Sequence, residues 1–251
     1  VLESRVFVHL STIWRQSRVV VDAPLGDAYA DFLVPDRTAS FAAALACTGS
    51  NKDTDTSMDT GVGMDRGTGH DSTVGPDLAA PTVSPPGPSA ALGAPLPNPL
   101  VALPGLLRQP IPHRVATIHG VLTHENVLVA PAARTVRLID FSHSREDHVL
   151  HDLLRLETGL VTRVLPDKLA EAGLDLSAVI DVYRRLHVAA DDAPADPALR
   201  AVYVGLVAVR KAALLLLADP ADWREYLWGL AANLVGAGKY RNQGASATAA
   251  A

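Results

Sequence analysis

The residues best equipped for chemistry lie between positions 118 and 157. One run reads Ile-His-Gly-Val-Leu-Thr-His-Glu-Asn and contains His119, Gly120, Val121, Leu122, His124, Glu125 and Asn126. A second reads Leu-Ile-Asp-Phe-Ser-His and contains Asp140, Phe141 and His143, and a third reads Asp-Leu-Leu-Arg-Leu-Glu, with Asp152, Arg155 and Glu157. The amide of Asn126 and the carboxylate of Asp140 are hard oxygen donors of the kind magnesium accepts. The five histidines His119, His124, His143, His148 and His151 raise a zinc alternative, since imidazole is a common zinc ligand. His148 and His151 stand three apart on an expected helix and share a face there, yet no His-Glu-x-x-His motif is present. Asp152, Arg155 and Glu157 fit substrate contacts or, as charges at such spacing more often do, an ion-pair network. The plainest alternative makes Asn126 a turn residue, Asp140 a helix cap and His119 a core histidine.

These residues need strands and helices to hold them. Residues 115–118, 127–129 and 136–139 are short β-rich runs, the last two separated by a turn at Pro131, Ala132 and Ala133. From Asp140 onward the pattern is helical, with segments expected at 148–165, 176–189, 199–218 and 223–234, each preceded by a Pro or Asp boundary. In the first segment Leu150, Leu153, Leu154, Leu160, Val161 and Val164 make one broad apolar face. Residues 1–46 also have helical spacing, through Val6, Leu10, Ile13 and Trp14 and then Phe41, Ala44 and Leu45.

The organisation expected from these patterns has four parts. Residues 1–47 form a helical lead-in, 48–112 a disordered insertion, 113–241 the core, and 242–251 a small-residue tail. The insertion is rich in Asp, Gly, Ser and Thr and then in Pro and Ala, a composition that buries too little apolar surface to offset its ordering entropy. Asp53, Asp55, Ser57 and Asp59 alternate as in a calcium loop, but Met58 and Met64 stand where an EF-hand needs glycine and glutamate.

The order of the motifs resembles the phosphotransfer centre of the aminoglycoside phosphotransferase and choline kinase group. There a strand leads into His-Gly-Asp-Leu, asparagine follows five residues after the aspartate, a hairpin ends in Ile-Asp-Phe, and a helix carries Asp-Leu-Ala-Arg. The Asp-Leu-Leu-Arg-Leu-Glu helix also resembles kinase-like domains of the ternary-complex-associated type found in bacterial conflict systems. The resemblance implies an α+β fold, a protein-kinase-like C-terminal lobe that is mostly helical with a short β-hairpin. It implies that Asn126 and Asp140 hold magnesium beside ATP, that His119 bonds backbone near the metal-binding aspartate, and that Gly120, Phe141 and Asp152 support the site. Phosphoryl transfer depends on positioning and charge neutralisation, and here the resemblance breaks at one place. The family's catalytic aspartate corresponds to Val121, whose hydrocarbon side chain accepts no proton. A positioned base is worth roughly 10²–10⁴ in rate. His124 or Glu125 would have to reach back several ångströms along the loop, and a misplacement of about 1 Å costs on the order of 10²-fold. The glycine-rich loop and strand lysine of the family's N-terminal lobe have no counterpart before His119, so that lobe is expected to be missing and ATP binding weak.

Composition narrows the classes. A formal charge of -5 gives no electrostatic reason for nucleic acid or an anionic membrane as partner. The single Cys47 excludes an internal disulfide and fits a reducing cytoplasm. Arg210 and Lys211 interrupt the most apolar stretch, 201–218, which reads as a buried helix rather than a membrane span. Three functions remain: a degenerate phosphotransferase-like module that binds a protein partner or the missing lobe, an active ATP-dependent small-molecule phosphotransferase, and a histidine-rich metal hydrolase.

Overall fold

A computed structural model describes residues 19–33, 82–83, 96–175, 177–187 and 193–237. The fold is mostly helical α+β with small antiparallel sheets. Strand β1 (Val19–Pro24) pairs with β4 (Pro110–Ile118), which pairs in turn with β7 (Arg145–His148). Two residue pairs, β2 (Thr82–Val83) and β3 (Leu96–Pro97), form a separate ladder, and β5 (Val127–Ala130) with β6 (Thr135–Leu138) forms a hairpin. The helices are α1 (Gly26–Tyr29), α2 (Pro99–Leu107), α3 (His151–Gly159), α4 (Leu165–Ala172), α5 (Ser177–His187), α6 (Pro197–Leu214) and α7 (Arg224–Ala237).

The central strand carries two prolines without losing its ladder. Its first half, around Pro110 and Pro112, pairs only with β1, whereas β7 joins from Val115 to Ile118. One side of that first half is therefore an edge, where a missing N–H costs nothing. Ile111, His113, Ala116 and Ile118 turn inward onto the main core. That core gathers Tyr29, Leu103, Leu107, Leu122, Leu150, Leu153, Leu154, Tyr226 and Leu230, while a second cluster of Val161, Leu165, Val182, Val202 and Leu206 joins α4, α5 and α6.

Two expectations about the first half of the chain need correction. Val19–Pro24 is a strand within the region read as helical, because the β-branched Val19, Val20 and Val21 find a ladder partner in β4. Within the expected insertion, Asn98 caps α2 by accepting from the Leu100 amide at 3.0 Å, Pro99 opens it, and Leu103 and Leu107 are buried. Apolar residues at that spacing tie residues 99–112 to the core despite the proline-rich context. The calcium-like aspartates, Cys47, the apolar residues at 6–14 and 41–45, and the tail at 242–251 lie outside the described residues.

Helix α3 continues through a π-helical turn, Leu160–Val164, into α4, which stops at Gly173 in the left-handed conformation. The expected helices at 176–189, 199–218 and 223–234 correspond to α5, α6 and α7. Among the described residues no helix is long and apolar enough to cross a membrane.

Candidate functional site

Strand β4 delivers the chain into the loop at His119, with Ile118 and Leu122 fully buried on either side of it. Asp152, in the first turn of α3 and wholly buried, clasps this loop. Its Oδ2 accepts from the His119 amide at 2.7 Å and its Oδ1 from the Gly120 amide at 2.9 Å. Gly120 has φ +86°, and a Cβ there would stand 2.1 Å from the carbonyl oxygen of His143. Only glycine fits both the torsion and the approach.

The His119 ring reaches the hairpin. Its Nε2–H donates to the Ile139 carbonyl at 2.8 Å, which fixes that tautomer, and the ring lies 4.7 Å from that of Phe141. Ser144 adds a hydroxyl bond to the Ile118 carbonyl at 2.7 Å. Loop and hairpin thus form one hydrogen-bonded unit.

Asn126 sits at the hairpin's open end. Its Nδ2 donates to the Val121 carbonyl at 2.8 Å, and its own carbonyl accepts from the Ile139 amide at 3.1 Å. Asp140 follows Ile139, two residues past the end of β6, and so stands with Asn126 at the same end of the hairpin. Its backbone is left-handed, with φ 63° and ψ 63°. The exposed carboxylate accepts from the Ser142 hydroxyl at 2.6 Å, and this bond holds its pKa below the ordinary carboxylate range. Asp140 also occupies the cap position of the short turn Phe141–His143, and Asn126 closes the turn His124–Asn126. As a donor set, an amide oxygen and a carboxylate suit magnesium, which takes one or two protein ligands and completes its shell with water or phosphate.

Val121 lies half-buried between Gly120 and Leu122, and its backbone carbonyl is already engaged by Asn126. Glu125 is exposed and turned to Arg163, at 2.8 Å across 38 residues. His124 Nδ1 lies against Gly159.

The charges of α3 have separate tasks. Glu157 is fully buried and takes the Arg210 guanidinium at 2.8 and 3.3 Å, together with the hydroxyls of Tyr226 and Tyr183. Arg210 stacks at 5.4 Å over Tyr183, and although burial works against the charged form, the Glu157 carboxylate holds its pKa above the ordinary guanidinium value. Asp152 and Glu157 are therefore internal struts rather than substrate contacts. Arg155 alone of the three faces a pocket.

The histidines do not converge. His148 accepts from the Tyr29 hydroxyl at 2.7 Å through Nδ1 and donates to Glu225 at 2.9 Å through Nε2. His151 stacks on Tyr29 at 5.7 Å with both nitrogens buried and unpartnered, and burial, followed by the charge of Arg155, lowers its pKa to about 3. Among the described residues no three His, Cys, Asp or Glu side chains gather in a metal-binding group. This arrangement removes the observation that raised the zinc alternative. The Tyr29, His148 and Glu225 chain has no sequence signal, because its members lie 119 and 77 residues apart.

Residues 78–234 match the family model described as ternary complex associated domain 9. The chain belongs to that family. No curated protein and no solved structure matches it. The matched span of this ternary complex associated domain contains the whole loop, the hairpin and α3, and it also contains the buried Glu157–Arg210 pair. Strand β1 and α1 precede the span and complete the sheet and core around it.

Proposed function

We propose that this ternary complex associated domain is a phosphotransferase-like module that has lost its catalytic base and acts as a partner-binding or regulatory unit within a protein complex. The observation that carries the reading is Val121, a hydrocarbon side chain on a loop otherwise built to high specification. Asp152 fixes the preceding two amides, and Asn126 holds the Val121 carbonyl. Losing a positioned base from such a loop removes roughly 10²–10⁴ in rate and leaves the fold untouched, since valine is at ease in a half-buried place. The aminoglycoside phosphotransferase likeness supplies the chemistry, and the family's description supplies the association with a complex.

Asn126 and Asp140 are the residues that would hold magnesium, and magnesium there would neutralise phosphate charge. Among the described residues the two lysines, Lys168 and Lys211, stand on α4 and α6, and Lys168 is paired with Glu171 at 2.6 Å. Neither supplies a nucleotide clamp to the loop. Single-turnover phosphoryl transfer from magnesium-ATP by the full-length protein tests the reading. It predicts no transfer above background. Substantial transfer that Asp140→Ala abolishes would overturn it and favour an active phosphotransferase.

A further inference from the structure

A small pocket opens where α3 runs into the π turn and meets the C-terminal half of α7. Its walls include Phe32, Thr123, Arg155, Thr158, Arg163 and Asn233. The half-buried Arg155 guanidinium lies 5.9 Å from the Phe32 ring centre, and Arg155 forms no ion pair among the described residues. Arg163, by contrast, is engaged by Glu125 at 2.8 Å. Thr158 is only 8% exposed, and its hydroxyl has no hydrogen-bond partner among the described residues. The neighbouring polar groups are committed elsewhere. Thr162 donates to the Thr158 carbonyl at 2.8 Å, and Asn233 donates to the Gly229 carbonyl at 2.9 Å.

A buried hydroxyl without a partner costs free energy, and a half-buried cation without a counter-ion does so as well. Both residues line one pocket, beside a π turn, a distortion that recurs at functional sites. One kind of occupant relieves both costs. An oxyanion takes two guanidinium N–H bonds side by side, and it accepts from a threonine hydroxyl. Stacking on Phe32 leaves the guanidinium's edge donors available for this.

We propose that this pocket binds the oxyanion group of a small molecule, a phosphate or carboxylate, with Arg155 as its cation and the Thr158 hydroxyl as a second donor. The site is separate from the Asn126 and Asp140 pair and stands whether or not the domain descends from a phosphotransferase. It gives a module without turnover something to sense.

The test is a titration of the full chain with inorganic phosphate, followed by phosphorus NMR, against sodium chloride at equal ionic strength. Saturable binding is expected, weakened about tenfold or more by Arg155→Gln, the loss typical of one charge-assisted hydrogen bond. Thr158→Val keeps the shape of the side chain and is expected to weaken binding too, so the proposal remains testable if Arg155→Gln folds poorly. Competition by acetate assigns a carboxylate head group and its failure a phosphate. Binding unchanged in both variants, or no response beyond chloride, would overturn the proposal.

Discussion

Asp152→Asn tests the loop architecture most sharply. In the native protein one carboxylate accepts from two adjacent amides, at 2.7 and 2.9 Å, with no exposure to solvent. Asparagine has the same shape but one carbonyl oxygen, so one amide keeps a neutral acceptor and the other faces an NH₂ donor. Hydrogen bonds to a charged group contribute about 1.5–3 kcal/mol each, and a buried amide left unsatisfied costs about 1–3 kcal/mol. Removing a buried charge returns part of this. The net expectation is a loss of about 2–4 kcal/mol, which for a domain of this size lowers Tm by roughly 4–16 °C. Urea denaturation at constant m-value gives the loss, and hydrogen exchange should show the His119 and Gly120 amides losing protection ahead of those in β4. A loss under about 0.5 kcal/mol with unchanged protection would refute the clasp.

Other outcomes follow from the same structure. Gly120→Ala should cost about 2–4 kcal/mol, combining a left-handed torsion with a Cβ 2.1 Å from the His143 carbonyl, and urea denaturation measures it. Arg210→Met alone should cost about 3–5 kcal/mol because it strands the fully buried Glu157 charge, whereas Arg210→Met with Glu157→Gln should recover much of that in a double-mutant cycle. His151 has a folded pKa of about 3 against 6.5 in the unfolded chain, so the unfolded state binds more protons between those values. Its contribution is present above pH 6.5 and is lost as pH falls towards 3, at up to about 1.4 kcal/mol per pH unit. His151→Leu should therefore flatten stability against pH between 6.5 and 4, and parallel curves for the two proteins would contradict this.

Local chemistry decided what could be read without coordinates. The hairpin was legible because β-branched runs flank Pro131, and the helices from α5 onward because Pro or Asp marks their starts and their apolar spacing is regular. The grouping of Asn126 with Asp140 came from the family resemblance; the backbone places the two residues at one end of the hairpin, where the Ile139 amide donates to the Asn126 main-chain carbonyl. The strand at Val19–Pro24 depends on pairing with β4, some 90 residues on, which no local window contains. Residues 99–112 were hidden by a proline-rich neighbourhood, although Asn98 and Pro99 are good helix-start signals. The double acceptance by Asp152, the Tyr29, His148 and Glu225 chain and the Arg155 pocket all arise from distant segments meeting. No window of sequence contains them.

On the proposed reading Val121 fills the place of a lost catalytic base, and Val121→Asp puts that to the test. With magnesium-ATP and the full-length protein, wild-type transfer is expected at background, with a gain of about 10²–10⁴ on introducing the carboxylate that is lost again when Asp140→Ala is added. Wild-type transfer that is already rapid, and that Val121→Asp leaves unchanged or slows, would show that the loop never depended on a carboxylate at this position.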